Sequence, residues 1–267
     1  MSQVVPPGRG RPGPALAWGA RTAGLAVLLA ATVVFPVVFP NPAATNYGVY
    51  ALIFVAVASA WNIFSGLSGY ISLGHAVFFG SGAYTLGIAA RDWHVTGVAV
   101  FALLPLAAVA GALIAVPFGL VALRVRRHTF IVITIAVFFI FQLMAYNFSF
   151  TGGSIGVSAP FLPWQAATYN NPFYYIALGC AVGMIAIAWL IRRSRFGLQL
   201  RAIRDDEDRA RGLGVRAMRV KLIAFALSGA VTAVAGGVWF FYLTQVEPPS
   251  GFDPLFDLSV EIGRAHV

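Results

Sequence analysis

Thr129–Phe148 reads TFIVITIAVFFIFQLMAYNF, a run without one Asp, Glu, Lys or Arg, and it follows closely on Arg124, Arg126 and Arg127. An α-helix needs about 20 mainly apolar residues to cross the hydrocarbon core of a bilayer. This stretch meets that requirement, and its basic flank marks where it leaves the lipid. Six further stretches behave the same way: Thr22–Phe39, Thr45–Phe64, Ile71–Ala90, Val98–Leu123, Pro172–Ile191 and Leu222–Leu243. The whole chain agrees with them. It is 267 residues long, 59% hydrophobic and only 10% charged, with a mean hydropathy of +0.81. A soluble domain carries about 25% charged residues, and a disordered chain lacks this density of Phe, Leu, Ile and Val. The expected fold class is all-α: a polytopic membrane helical bundle with about seven transmembrane helices.

The bases orient the bundle. Arg9, Arg11 and Arg21 precede the first stretch, and Arg124, Arg126 and Arg127 follow the fourth. Arg192, Arg193, Arg195, Arg201, Arg204, Arg209, Arg211, Arg216, Arg219 and Lys221 lie between the sixth and seventh. With the N-terminus in the cytoplasm, every one of these falls on the cytoplasmic side, as positive-inside bias requires. Of the eighteen Lys and Arg residues only Arg91 and Arg264 remain. The same bias explains the net charge of +9 without a nucleic-acid partner. The expected organisation is a disordered basic cytoplasmic tail over residues 1–21, a transmembrane domain over 22–261, and a cytoplasmic loop over 192–221.

Several chemistries are excluded. One cysteine, Cys180, supports neither a disulfide framework nor a cysteine metal cluster. The single lysine, Lys221, is followed by Leu222, so the chain holds no phosphate-binding Gly-Lys-Ser/Thr loop. His75, His94, His128 and His266 never fall four residues apart, and the spans offer no carboxylate to pair with a base. No catalytic residue, metal site or cofactor is expected in this chain.

Three stretches carry functional signals. Gly66–Gly87, GLSGYISLGHAVFFGSGAYTLG, is dense in Gly and Ser and holds His75, the one Asp, Glu, Lys, Arg or His side chain inside the predicted spans. Small residues let membrane helices approach closely, and such a segment also breaks a helix and turns polar backbone inward. Ser68, Ser72, Gly74 and His75 are the candidates for a substrate pathway, with a helix–helix hydrogen bond as the plainer role for His75. Residues 149–171 form an irregular outer loop, because Gly152, Gly153, Gly156, Pro160 and Pro163 exclude a regular helix. In Arg192–Lys221, Phe196, Leu200 and Ile203 make an apolar stripe at helical spacing. Asp205, Asp206, Glu207 and Asp208 then open a short helix, about Glu207–Leu213, that Gly214 closes. This describes a docking element held beneath the membrane.

The stretches GLSGYISLGHAVFFGSGAY, TGGSIGVSAP and SRFGLQLRAIRDDEDRARGLGVRAMRVKLIAFALSGAVTAVAGGVWFFY, in this order between Trp61 and Asp257, strongly resemble the inner-membrane permeases of branched-chain amino-acid ABC transporters, of the LivM type. The resemblance implies a permease subunit in the bacterial inner membrane, one of two related subunits forming the pathway. It implies two cytoplasmic ATPase subunits that bind the ATP and a periplasmic binding protein that delivers Leu, Ile or Val. Arg204, Asp205, Asp206, Glu207, Ala210, Gly212 and Gly214 would belong to the loop that such permeases insert into an ATPase cleft. Gly212 departs from the family, which usually has Ala there. Urea and amide permeases look similar, and a secondary transporter or channel is the alternative of a different class. Family members continue past Glu261, so the chain is expected to stop early. Its last residues, Ile262–Val267, match a translation of the sequencing-adapter oligonucleotide AGATCGGAAGAGCACACGTC and are expected to be non-native.

Overall fold

The computed structural model describes residues 14–160, 162–164 and 169–253. The adapter-like tail and most of the expected disordered tail lie outside the described residues. Two helices, α1 (Pro14–Val38) and α2 (Pro42–Trp61), open the chain. α1 starts at Pro14 rather than at Thr22, so residues 14–21 are helical. The Asn41 side chain caps α2 by accepting from the Ala43 amide at 2.9 Å. A π-helical turn, Asn62–Gly66, then leads into a non-helical stretch before α3 (His75–Asp92). The predicted third span therefore begins at His75 and not at Ile71. Gly69, at φ +73°, turns the backbone out of the helix in a region that side-chain-bearing residues avoid.

A 3₁₀ turn, Gly97–Leu103, precedes α4 (Leu104–Ala122), and α5 (Arg127–Asn147) follows. The described part of the loop after α5 is irregular apart from a 3₁₀ turn, Ser149–Thr151, and Asn170 and Asn171 belong to the helix that follows. The loop contributes a two-residue strand β1 (Val157–Ser158), antiparallel to β2 (Gln245–Val246). After it come α6 (Asn170–Arg193), α7 (Arg195–Asp205), α8 (Glu207–Gly212), α9 (Ala217–Leu243) and α10 (Pro248–Gly251). Five segments are long and apolar enough to span a membrane: Pro42–Gly66, Gly97–Ala122, Arg127–Asn147, Asn170–Arg193 and Ala217–Leu243. With α1 and α3 in the remaining two expected places, the chain is an all-α, multi-pass membrane bundle.

The centre of that bundle is α9, packed mainly against α4 and α3, while α2 pairs with α6. Small residues make the central contact possible. A Cβ on Gly82 of α3 would strike the Ala233 carbonyl oxygen, and one on Gly236 of α9 would strike that of Phe79. Apolar burial adds little between helices already in lipid, so close backbone approach and its dispersion contacts hold them. α4 and α5, by contrast, leave Leu113, Val121, Val132 and Leu143 exposed, as lipid-facing helices do.

Candidate functional site

α7 and α8 form one capped unit. Ser194 accepts from the Gly197 amide at 3.2 Å and starts α7. Leu200 and Ile203 on its inner face are fully buried, and Phe196 packs beside them, so the apolar stripe backs onto the bundle. The Asp206 carboxylate accepts from the amides of Asp208 and Arg209, both at 3.0 Å, and starts α8. At the other end the Gly214 amide donates to Arg211 O at 2.9 Å and the Val215 amide to Ala210 O at 3.0 Å. These two bonds form a Schellman closure, which needs a left-handed residue at the first position past the cap. Gly214 supplies it at φ +87°. The helix ends at Gly212 with Leu213 as its cap, one residue short of the expected limit. Leu213 is 85% exposed, an apolar side chain presented at the tip of a turn closed by two backbone bonds.

The unit is fastened to the membrane helices by charge. Lys221, near the start of α9, is only 1% exposed. Its Nζ donates to Glu207 Oε1 at 2.9 Å and Oε2 at 3.1 Å, and to the Tyr70 hydroxyl at 3.0 Å. Tyr70 in turn donates to Glu207 Oε2 at 2.6 Å, and Arg211 Nη2 donates to Oε1 at 2.5 Å. Burial pushes the Glu207 carboxyl up. The hydrogen bonds from Tyr70 and Lys221, with the charges of Lys221 and Arg211, outweigh it and hold the group below its ordinary value of 4.5. A carboxyl depressed on folding stabilises the fold above its ordinary pKa, and that contribution fades as pH falls through the lowered value. Thermal unfolding in detergent should therefore show a midpoint that drops in acid below 4.5. In Glu207→Gln that part of the pH dependence should be missing.

Two further contacts join this unit to α5 and to the helix break. Arg127, at the start of α5, donates from Nη2 to Ile203 O at 3.1 Å and Arg204 O at 2.6 Å, closing the end of α7. Arg204 reaches the Gly66 carbonyl at 3.5 Å, and a Cβ on Gly69 would lie 2.6 Å from its Cγ. The loop and the Gly-rich segment were separate candidates in the sequence. Here they share one contact region through Arg204, Glu207, Gly66, Gly69 and Tyr70.

The four residues expected on the pathway sit deeper. Ser68, Ser72 and His75 are each 0% exposed, and Gly74 is buried against Thr134. Ser68 Oγ accepts from the Tyr70 amide at 3.3 Å, and Ser72 Oγ from the Gly74 amide at 3.4 Å. The Ser72 amide donates to Ser65 Oγ at 3.3 Å, and Trp61 Nε1 donates to the Ser72 carbonyl at 2.9 Å. Ser228 spends its hydroxyl proton on Ala60 O at 2.7 Å, so His75 Nε2, 2.8 Å away, is the donor to Ser228. These side chains satisfy backbone that the break releases inside the bundle, and His75 makes the helix–helix hydrogen bond that was its plainer role. Tyr70, Arg127 and Lys221 were not among the sequence candidates. No group of three metal-ligating side chains occurs among the described residues.

Gly212 has nothing within 4 Å of an added Cβ and needs no left-handed backbone. Gly212→Ala should therefore stabilise α8 by up to about 1 kcal/mol. Thermal unfolding of the purified protein would show a small rise in midpoint, and a fall would mean the turn needs Gly.

The comparisons with known proteins agree with this architecture. The chain is 27% identical over 256 residues to the high-affinity branched-chain amino acid transport system permease protein LivM of Salmonella typhimurium, covering 84% of this chain and 59% of that protein. It is 26% identical to LivM of Escherichia coli K12 with the same coverage. The L-arabinose transport system permease protein AraH of Escherichia coli K12 is 30% identical over 135 residues, 49% of this chain and 39% of AraH. The chain thus spans about three fifths of the length of the LivM proteins it matches. No solved structure matches it. The sequence model for the branched-chain amino acid transport system/permease component matches residues 43–262, and with most of its length inside that match the chain belongs to this family.

Proposed function

We propose that the chain is a membrane-spanning permease subunit of an ATP-driven importer in the bacterial inner membrane, with a cytoplasmic N-terminus, carrying branched-chain amino acids. A second permease subunit, two cytoplasmic ATPase subunits and a periplasmic binding protein complete the machine, and ATP is bound by the ATPases. One observation carries the reading. A doubly capped helix, α8, presents an exposed tip and at its base is ion-paired to α9 and hydrogen-bonded to the break before α3.

In this mechanism the ATPases close on ATP and displace α8. The Glu207–Lys221 pair and the Arg127 and Arg204 contacts pass the displacement to α9, α5 and the break. Coupling requires that the docked contact differ in free energy between the two states of the bundle. The break, with its satisfied backbone, is the place where a rigid-body shift can be absorbed. Ser68, Ser72, Gly74 and His75 set the shape of the pathway wall at that point.

Affinity purification of the tagged chain from cells carrying the neighbouring genes tests the reading. An ATPase subunit should co-purify. A secondary transporter or channel would come down without one. The likeness to AraH gives the substrate its own test. Uptake of labelled leucine, in competition with unlabelled isoleucine, urea and arabinose, should be inhibited by isoleucine alone.

A further inference from the structure

A cavity of about 420 Å³ opens beside α8, between its charged face and the turn joining α4 to α5. Arg124, Arg126, Arg127, Arg211 and Lys221 contribute five positive charges to its wall, against Glu207 and Asp208. Glu207 is already engaged by Lys221, Arg211 and Tyr70, and Arg127 by two carbonyls. Arg124, Arg126 and His128 make no ion pair or side-chain hydrogen bond among the described residues. Residues 1–13 contain no acid that would neutralise them. The turn lies at the ends of two membrane-spanning helices, which puts it at the depth of the lipid headgroups. Just below it, α4 exposes Val121 and Leu120, and α5 exposes Val132.

We propose that this cavity binds the headgroup phosphate of one anionic phospholipid. Its acyl chains would lie along the exposed apolar flank of α4 and α5. The site asks for both halves of such a molecule: an anion for the unpaired bases, and hydrocarbon for the side chains beneath them. Basic pockets between membrane helices select anionic lipid in this way, each base near the surface adding to the attraction. A lipid seated here would also touch the wall that holds Glu207 and Lys221, so it would stiffen the footing of α8. The site does not depend on the transport reading, because it is assayed on the isolated chain.

Native mass spectrometry of the purified full chain in neutral detergent, offered equal phosphatidylglycerol and phosphatidylcholine, tests the proposal. One phosphatidylglycerol should be retained in preference to phosphatidylcholine. Arg124→Gln/Arg126→Gln should weaken that retention about thirtyfold, with an unchanged unfolding midpoint in lipid-free detergent, since neither side chain makes an ion pair or hydrogen bond among the described residues. Equal retention of the two lipids, or undiminished retention by the double variant, would overturn it. A separate arm offers inorganic phosphate alone. If millimolar phosphate raises the unfolding midpoint and displaces the lipid completely, the site takes free phosphate and the lipid assignment fails.

Discussion

Glu207→Ala is expected to destabilise the protein by about 3 kcal/mol or more, because it strands the Lys221 ammonium inside the bundle. Lys221 is almost wholly enclosed, and two of its three hydrogen-bond partner atoms belong to Glu207. Lys221→Met alone should cost less. Glu207 would keep Tyr70 and Arg211, and its side chain retains 15% exposure to water. The double variant should recover part of the loss, since no buried charge is then left unpaired and Arg211, freed of Glu207, is exposed to water. Chemical unfolding in detergent measures all four corners of the cycle. If the single and double variants add without coupling, the pair is not the fastening described here. The functional corner is separate. Even where the double variant folds, it should transport poorly while the ATPases still turn over, because the link from α8 to α9 is gone.

Gly214→Val should uncouple the machine with little effect on membrane insertion. At φ +87° a β-branched residue is strongly disfavoured, and an added Cβ meets no neighbour, so the whole effect is backbone strain. A left-handed non-Gly residue costs about 1–3 kcal/mol, enough to open a turn held by two backbone bonds. Loss of the turn frees Leu213 and shortens α8 without disturbing α9. Uptake should fall sharply while ATPase activity loses its dependence on substrate. Gly214→Ala should fall between wild type and Val. Normal uptake and normal stimulation in Gly214→Val would show that the turn is not what the ATPase reads.

The fold was legible because a charge-free run of about twenty residues has few alternatives, and several such runs in one chain fix a membrane bundle. α8 was legible for a similarly local reason. Its caps, Asp206 and Gly214, lie within the segment they close, and only the final residue differed. The third span was less legible. Its composition announced a break, but the position depends on Gly69 adopting positive φ against Arg204, a contact between distant parts of the chain. The Glu207 cluster was invisible for the same reason. Tyr70 and Glu207 are 137 residues apart, and Lys221 and Tyr70 are 151 apart. Lys221 did carry a signal as the sole lysine among many arginines, set at the mouth of a span. Read alone, it only excluded a phosphate-binding loop. Polarity likewise marked Ser68, Ser72 and His75, yet it does not tell a lining residue from one that satisfies freed backbone.

In the proposed importer the α8 turn is where an ATPase docks. Cysteine cross-linking decides this, with Leu213→Cys placed at the exposed tip in a Cys180→Ala background and native membranes treated with a short reagent that couples to the thiol and carries a photoactivatable second arm. One adduct of the mass of this chain plus an ATPase subunit is expected. That adduct should weaken when Gly214→Val is added. It should be absent when the cysteine is placed instead at Leu143, on the lipid-facing side of α5. A folded, correctly inserted Leu213→Cys protein that gives no ATPase adduct, or gives it no more readily than Leu143→Cys, would mean that the ATPase docks elsewhere.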